Sequence, residues 1–121
     1  MLINLLGVFI GGGCGSVLRS IVSGKIGSHW GIMTVNLCGA FLIGFLFEWL
    51  GSKSDLQPEI KGFLITGLLG GFTTFSTYML DFGVLINNNH YTEAAVYLFS
   101  SLFVGIVCMF GGIYLGKNIF C

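Results

Sequence analysis

The chain has 121 residues, of which 55% are hydrophobic and 8% charged, with five basic and five acidic side chains in balance. A soluble domain carries about 25% charged residues, so the composition excludes one, and no nucleic-acid partner is expected. A membrane helix needs about 20 mainly apolar residues, which gives room for four spans and short connectors in a single transmembrane domain over residues 1–121.

The apolar run begins at the N-terminus and no Lys or Arg precedes Arg19, a pattern unlike a cleaved signal peptide. A first span is predicted over 2–21. Gly7, Gly11 and Gly15, with Gly12 and Ser16, form Gly-x-x-x-Gly steps that let another helix backbone approach closely. Arg19, near the end of that span, either snorkels to the interface or forms an anion-attracting vestibule. A polar connector over 23–29, in which His29 is expected to be a solvated loop residue, leads to Trp30, an interfacial aromatic.

The second span, 31–50, places Asn36 inside the apolar region beside a small face of Gly39, Ala40 and Gly44. A buried amide is unfavourable unless its donors are used; this one either bonds a neighbouring helix or offers its NH2 to a permeating anion. Glu48 and Trp49 close the span, and the hydrophilic stretch 51–61, with Pro58, turns the chain back.

The third span, 62–86, is the unusual one. Its deepest part holds Gly67, Gly70 and Gly71 with the hydroxyl residues Thr66, Thr73, Thr74, Ser76 and Thr77, all weak helix formers. Backbone groups freed by a break find no partner in lipid and are tolerated only where they are buried in protein or line a cavity. The break therefore points to a solute or ion site. Asp81 lies towards the end of the span and residues 87–90 form a turn.

Thr92 is expected to cap the fourth helix, with Glu93 favourable in its first turn and the span reaching residue 115. Tyr97 and Ser101 share a face that Gly105 continues, and Gly112 and Gly116 make a second small-residue step. Cys14, Cys38 and Cys108 fall in apolar segments without metal-ligand spacing and read as small buried hydrophobes. Four spans set Lys53, Lys61 and Lys117 on one side against Arg19 and Lys25 on the other, almost no bias. Insertion in both directions follows as an expectation, and with it an antiparallel dimer with pathways between its subunits.

Three stretches then fall into a pattern: Gly-Gly-Gly-Cys-Gly-Ser-Val-Leu-Arg over 11–19, Thr-Val-Asn-Leu-Cys-Gly-Ala-Phe over 34–41, and Gly-Gly-Phe-Thr-Thr-Phe-Ser-Thr over 70–77. In order, spacing and length they resemble the signature stretches of the Fluc (CrcB) fluoride channels, and the resemblance covers the whole chain. It implies an all-α integral membrane protein with four transmembrane helices, the third broken mid-membrane, assembled as a dual-topology antiparallel dimer. Two anion pores would flank a central structural Na+ held by the backbone carbonyls of Gly70 and Thr73.

The same resemblance puts Phe75 and position 78 at the paired pore aromatics, where Tyr78 stands in place of phenylalanine. It makes Asn36 a pore donor, lines the path with Ser76, Thr77, Tyr97 and Ser101, and gives Arg19 a structural and electrostatic role at the aqueous mouth. Ile32 and Gly105 depart from hydroxyl residues found in relatives, so one pore is poorer in donors. The partner is accordingly a second copy or a second family member. Passive export of fluoride across the bacterial plasma membrane is the implied function.

Two other classes compete. A small proton-coupled multidrug transporter shares the four-helix dual-topology plan but needs an acidic residue deep in a span, whereas Glu48, Asp81 and Glu93 lie towards span ends. A non-conducting structural subunit accounts for the glycines but not for a break, an amide and spaced aromatics together. No arrangement of nucleophile and base suggests an enzyme.

Overall fold

The computed structural model describes residues 2–52 and 58–120. Helices α1 (Leu2–Ile26) and α2 (Ser28–Ser52) come first, and α3 (Pro58–Lys61) leads into a wider, π-helical stretch over Gly62–Leu69. A single turn, α4 (Gly70–Phe72), then gives way to the break, after which α5 (Ser76–Asn87) and α6 (Tyr91–Phe120) complete the chain. Four helical units, Leu2–Ile26, Ser28–Ser52, Glu59–Asn87 and Tyr91–Phe120, are long and apolar enough to cross a membrane. The chain is a multi-pass membrane protein.

The turns are tighter than the polar residues suggest. α1 runs on past residue 21, so Ser23, Gly24 and Lys25 belong to its last turn and not to a connector. Reversal is confined to Gly27, at φ +77°, and Ser28, at φ +53°. The Gly27 N–H donates to the Ser23 carbonyl at 2.8 Å, a helix end that glycine reaches without steric penalty. His29 consequently stands in the first turn of α2 and is no solvated loop residue; its side chain is 11% exposed.

At the fourth helix the Ala94 N–H donates to the His90 carbonyl at 2.9 Å. The capping position is therefore His90 and not Thr92, which lies within the helix. Within the stretch 51–61, residues 53–57 lie outside the described residues, as do Met1 and Cys121. Cys14 and Cys38 correct a further expectation, since both are exposed while Cys108 is half-buried. Helices this few leave most outer faces to lipid, where a thiol is as welcome as a methyl group.

Glycine decides which helices meet. A Cβ at Gly11 would stand 2.5 Å from the Phe63 carbonyl oxygen, and one at Gly15 would overlap the carbonyl of Leu68. Reciprocally, a Cβ at Gly67 would come within 2.9 Å of the Val8 carbonyl, and one at Gly71 would overlap that of Gly12. Contact numbers rise together, so α1 and the third unit run parallel. The second and fourth units pair in the same sense, with Gly44 against the Met109 backbone and Gly112 against that of Phe41, while a Cβ at Gly116 would stand 2.7 Å from Glu48 Cβ. Such close backbone approach is how membrane helices associate where lipid removes the hydrophobic driving force.

Gly67 and Gly71 thus serve packing rather than the break, which is narrower than the glycine-rich stretch and confined to residues 73–75. What is buried is small: Val35, Ala94 and Tyr97 are fully enclosed, and Ile32, Tyr78 and Leu85 nearly so. Phe9, Val107 and Tyr114 are among the large side chains that face outward.

Candidate functional site

At the break Thr73 adopts an extended conformation, φ −86° and ψ 156°. Asn36 from α2 holds the next residue: its Nδ2 donates to the Thr74 carbonyl at 3.0 Å, and the Thr74 N–H donates to Asn36 Oδ1 at 2.8 Å. This two-point match of an amide to the backbone N–H and C=O of one residue substitutes for the helical bonds that the break removes. Both alternatives left open for Asn36 bear on it, because the pair uses one N–H of the amide and leaves the other outside it.

The break restarts as a helix by local chemistry. Thr74 Oγ1 accepts the Thr77 N–H at 3.3 Å, as an N-cap side chain does, and the Met79 N–H donates to the Phe75 carbonyl at 2.9 Å. Thr73 Oγ1 donates back to Leu69 O at 3.0 Å. Gly39 makes room for this arrangement, because a Cβ there would overlap the Thr73 methyl group.

A consequence falls on two carbonyls. In a continuous helix the Gly70 carbonyl accepts from Thr74 N–H and that of Thr73 from Thr77 N–H. Both donors are diverted, the first to Asn36 Oδ1 and the second to Thr74 Oγ1. Gly70 is also exposed, and a Cβ on it would meet nothing nearer than Ile65 O at 3.6 Å. Carbonyl oxygens are hard donors of the kind alkali and alkaline-earth cations take, so this pair fits a cation, and two oxygens per chain call for further ligands from elsewhere.

Beside the break opens a cleft of about 440 Å³. Of the residues singled out from the sequence it gathers Asn36, Gly70, Thr73, Phe75, Tyr78 and Ser101, and Gly105 joins them. Phe75 is 72% exposed at its edge, with its ring 6.1 Å from that of Tyr78 and tilted by 68°. The Tyr78 hydroxyl donates to the Leu98 carbonyl. Ser101 Oγ is buried beside the Tyr78 hydroxyl.

Ser76, Thr77, Tyr97 and Arg19 do not line the cleft. Ser76 is exposed on the first turn of α5, 3.5 Å from Thr74 Oγ1, and Thr77 gives its backbone to the cap. Arg19 is half-buried on α1. Ile32 belongs to the core, so a hydroxyl is absent there from packing and not from the cleft wall.

Tyr97 is fully buried, and its hydroxyl donates to Asp81 Oδ2 at 3.2 Å. Its ring meets that of Tyr78 at 5.3 Å. Asp81, which sequence reading placed only as a charge near a span end, does not line the cleft but is tied through Tyr97 to Tyr78, which does. Spacing puts Asp81 on one helical face with Tyr78, three residues on, but does not show that Tyr97 of α6 meets it.

Comparison with known proteins adds the family. Residues 6–113 match the family described as CrcB-like protein, Camphor Resistance (CrcB). A protein of Agrobacterium fabrum named fluoride-specific ion channel FluC is 40% identical over 125 residues, covering 98% of this chain and 100% of its own length. One of the same name from Hydrogenobaculum is 42% identical over 118 residues, 93% of this chain and 97% of the relative. Another, from Aquifex aeolicus, is 39% identical over 118 residues, 93% and 95% of the two chains.

Proposed function

The chain belongs to the CrcB-like family, and on that premise we propose that it is a fluoride-selective channel, not an enzyme, which lets F− leave a bacterial cell passively across the plasma membrane. The observation that carries this reading is the convergence on one open cleft of an amide, a buried hydroxyl and two aromatic rings beside a helix break: Asn36, Ser101, Phe75 and Tyr78. A small, strongly hydrated anion needs donors to replace its water. Aromatic edges offer positive potential without a permanent charge, so an ion they meet is held weakly enough to leave. Ser76 and Thr77 extend the path beyond the break, Tyr97 backs it as the buried ring against Tyr78, and Arg19 raises local anion concentration at its mouth.

The working unit is an antiparallel dimer of dual topology, with the partner a second copy or a second family member. Support comes from the cleft itself, since polar groups open on an outer face find no partner in lipid, and Phe75 is largely exposed there. A second chain crossing at the break closes two pores and brings two more carbonyls to those of Gly70 and Thr73. Na+ at that point supplies positive charge between the anion paths. The protein's part is to keep those carbonyls from re-forming helical bonds, through Asn36 and Thr74.

The test is efflux from liposomes holding only the purified chain, loaded with fluoride or chloride and followed with the matching electrode. Fluoride lost with chloride retained is the expected result. No loss of either ion from folded protein sinks the homodimeric channel, and rescue by a second family member then separates a heterodimer from a structural subunit. Tyr78→Phe is expected to keep fluoride efflux within about threefold of native, because the ring edge stays while the hydroxyl's contacts with the Leu98 carbonyl and Ser101 are lost. A collapse of efflux in that variant would make the hydroxyl, and not the edge, the working group.

A further inference from the structure

Where α2 and α6 begin, His29 occupies a place that the pathway residues do not explain. Its ring lies 4.8 Å from that of Tyr97 in an edge-on arrangement at 81°, and 4.5 Å from that of Trp30. Trp30 meets Tyr97 as well, at 6.0 Å. His29 Nε2 stands 3.1 Å from Glu93 Oε1, close enough for an ion pair though not aligned as a hydrogen bond. With Tyr78 at 5.3 Å, the Tyr97 ring is braced by three aromatic neighbours.

The braced group matters because of what it holds. Tyr97 is the donor to Asp81, and Asp81 lies one helical turn beyond Tyr78, which lines the cleft. A carboxylate beside an anion path repels the ion; a hydroxyl bond to it draws off part of that charge and fixes where it points. Edge contacts between rings have a preferred geometry, so a neighbouring ring fixes how the Tyr97 ring stands.

We propose that His29 is a positioning residue for the anion path: anchored by Glu93, its ring sets the ring of Tyr97 so that the Tyr97 hydroxyl restrains Asp81. The inference rests on the channel reading above. It runs through side chains of α6, α2 and α5 at one end of the bundle, so a change at His29 reaches the path without touching the ion.

The experiment is a double-mutant cycle in fluoride efflux from liposomes, with His29→Ala, Tyr97→Phe and the two combined. Each single change is expected to lower efflux roughly tenfold, and the double variant to be no slower than Tyr97→Phe alone, since His29 acts through the hydroxyl already removed. His29→Phe, which keeps a ring against Tyr97, is expected to retain efflux within about threefold of native. Losses that multiply in the double variant, or native efflux in His29→Ala, overturn the proposal. If His29→Ala does not reach the membrane folded, Glu93→Ala replaces it in the same cycle. A native chain that passes no fluoride overturns the channel reading instead; the cycle read as melting temperature in detergent then still decides whether His29 and Tyr97 are coupled.

Discussion

Asn36→Asp is expected to cut fluoride efflux by roughly thirtyfold or more, the equivalent of about 2 kcal/mol, within the range for leaving a buried polar group without its partner. The native amide presents opposite polarities to the Thr74 backbone, N–H to its carbonyl and oxygen to its N–H. An ionised carboxylate only accepts hydrogen bonds. It keeps the bond from Thr74 N–H and sets an oxygen against the Thr74 carbonyl, and the amide N–H outside that pair disappears from a residue lining the cleft.

Two effects are combined in that number, and they separate by measurement. Lower efflux with an unchanged melting temperature assigns the loss to the ion, since the break would then have kept its shape. A melting temperature that falls in step with efflux assigns it to the Thr74 pair. Unchanged efflux from folded protein would remove Asn36 from the path altogether.

Much of this was legible in the residues. Four apolar stretches gave the spans, and the hydroxyl-rich stretch 70–77 located the break to within a few residues. The cleft residues Asn36, Tyr78 and Ser101 come from α2, α5 and α6, and Phe75 from the break. Their convergence was open to resemblance and not to periodicity, which has no knowledge of which helix lies beside which. Misreadings had local causes. Gly24 and Lys25 look like loop residues, yet α1 continues through them because the reversal needs only Gly27 and Ser28. His29 then looks solvated for the same reason, when helix pairing has brought Glu93 and Tyr97 to it.

Asp81 shows the limit differently. A carboxylate near a span end is ordinarily an interfacial charge, and no spacing along α5 reveals that Tyr97 of α6 donates to it. Glycine is a harder case still. Spacing sets Gly7, Gly11 and Gly15 apart from Gly13, but only the positions of neighbouring carbonyls show how little room each has.

That distinction yields the largest expected effect on stability. Gly15→Ala is expected to destabilise the chain by about 3 kcal/mol or more, at the upper end of overpacking changes, while Gly13→Ala leaves it unchanged or slightly more stable. At Gly15 the added methyl group would overlap the Leu68 carbonyl and stand 2.8 Å from the Phe72 N–H nitrogen. Both are backbone atoms, so relief requires α1 to move off the third unit as a body rather than one side chain to turn. Such a shift would carry Leu69 to Phe72 with it and disturb the carbonyl of Gly70 at the break. At Gly13 nothing lies within 4 Å, and alanine is the better helix former by roughly 1 kcal/mol. Melting temperatures of the two variants in detergent, beside the native chain, decide the matter. Equal stability of all three would mean that α1 does not pack on the third unit through Gly15, and the parallel pairing that positions the break would have to be abandoned.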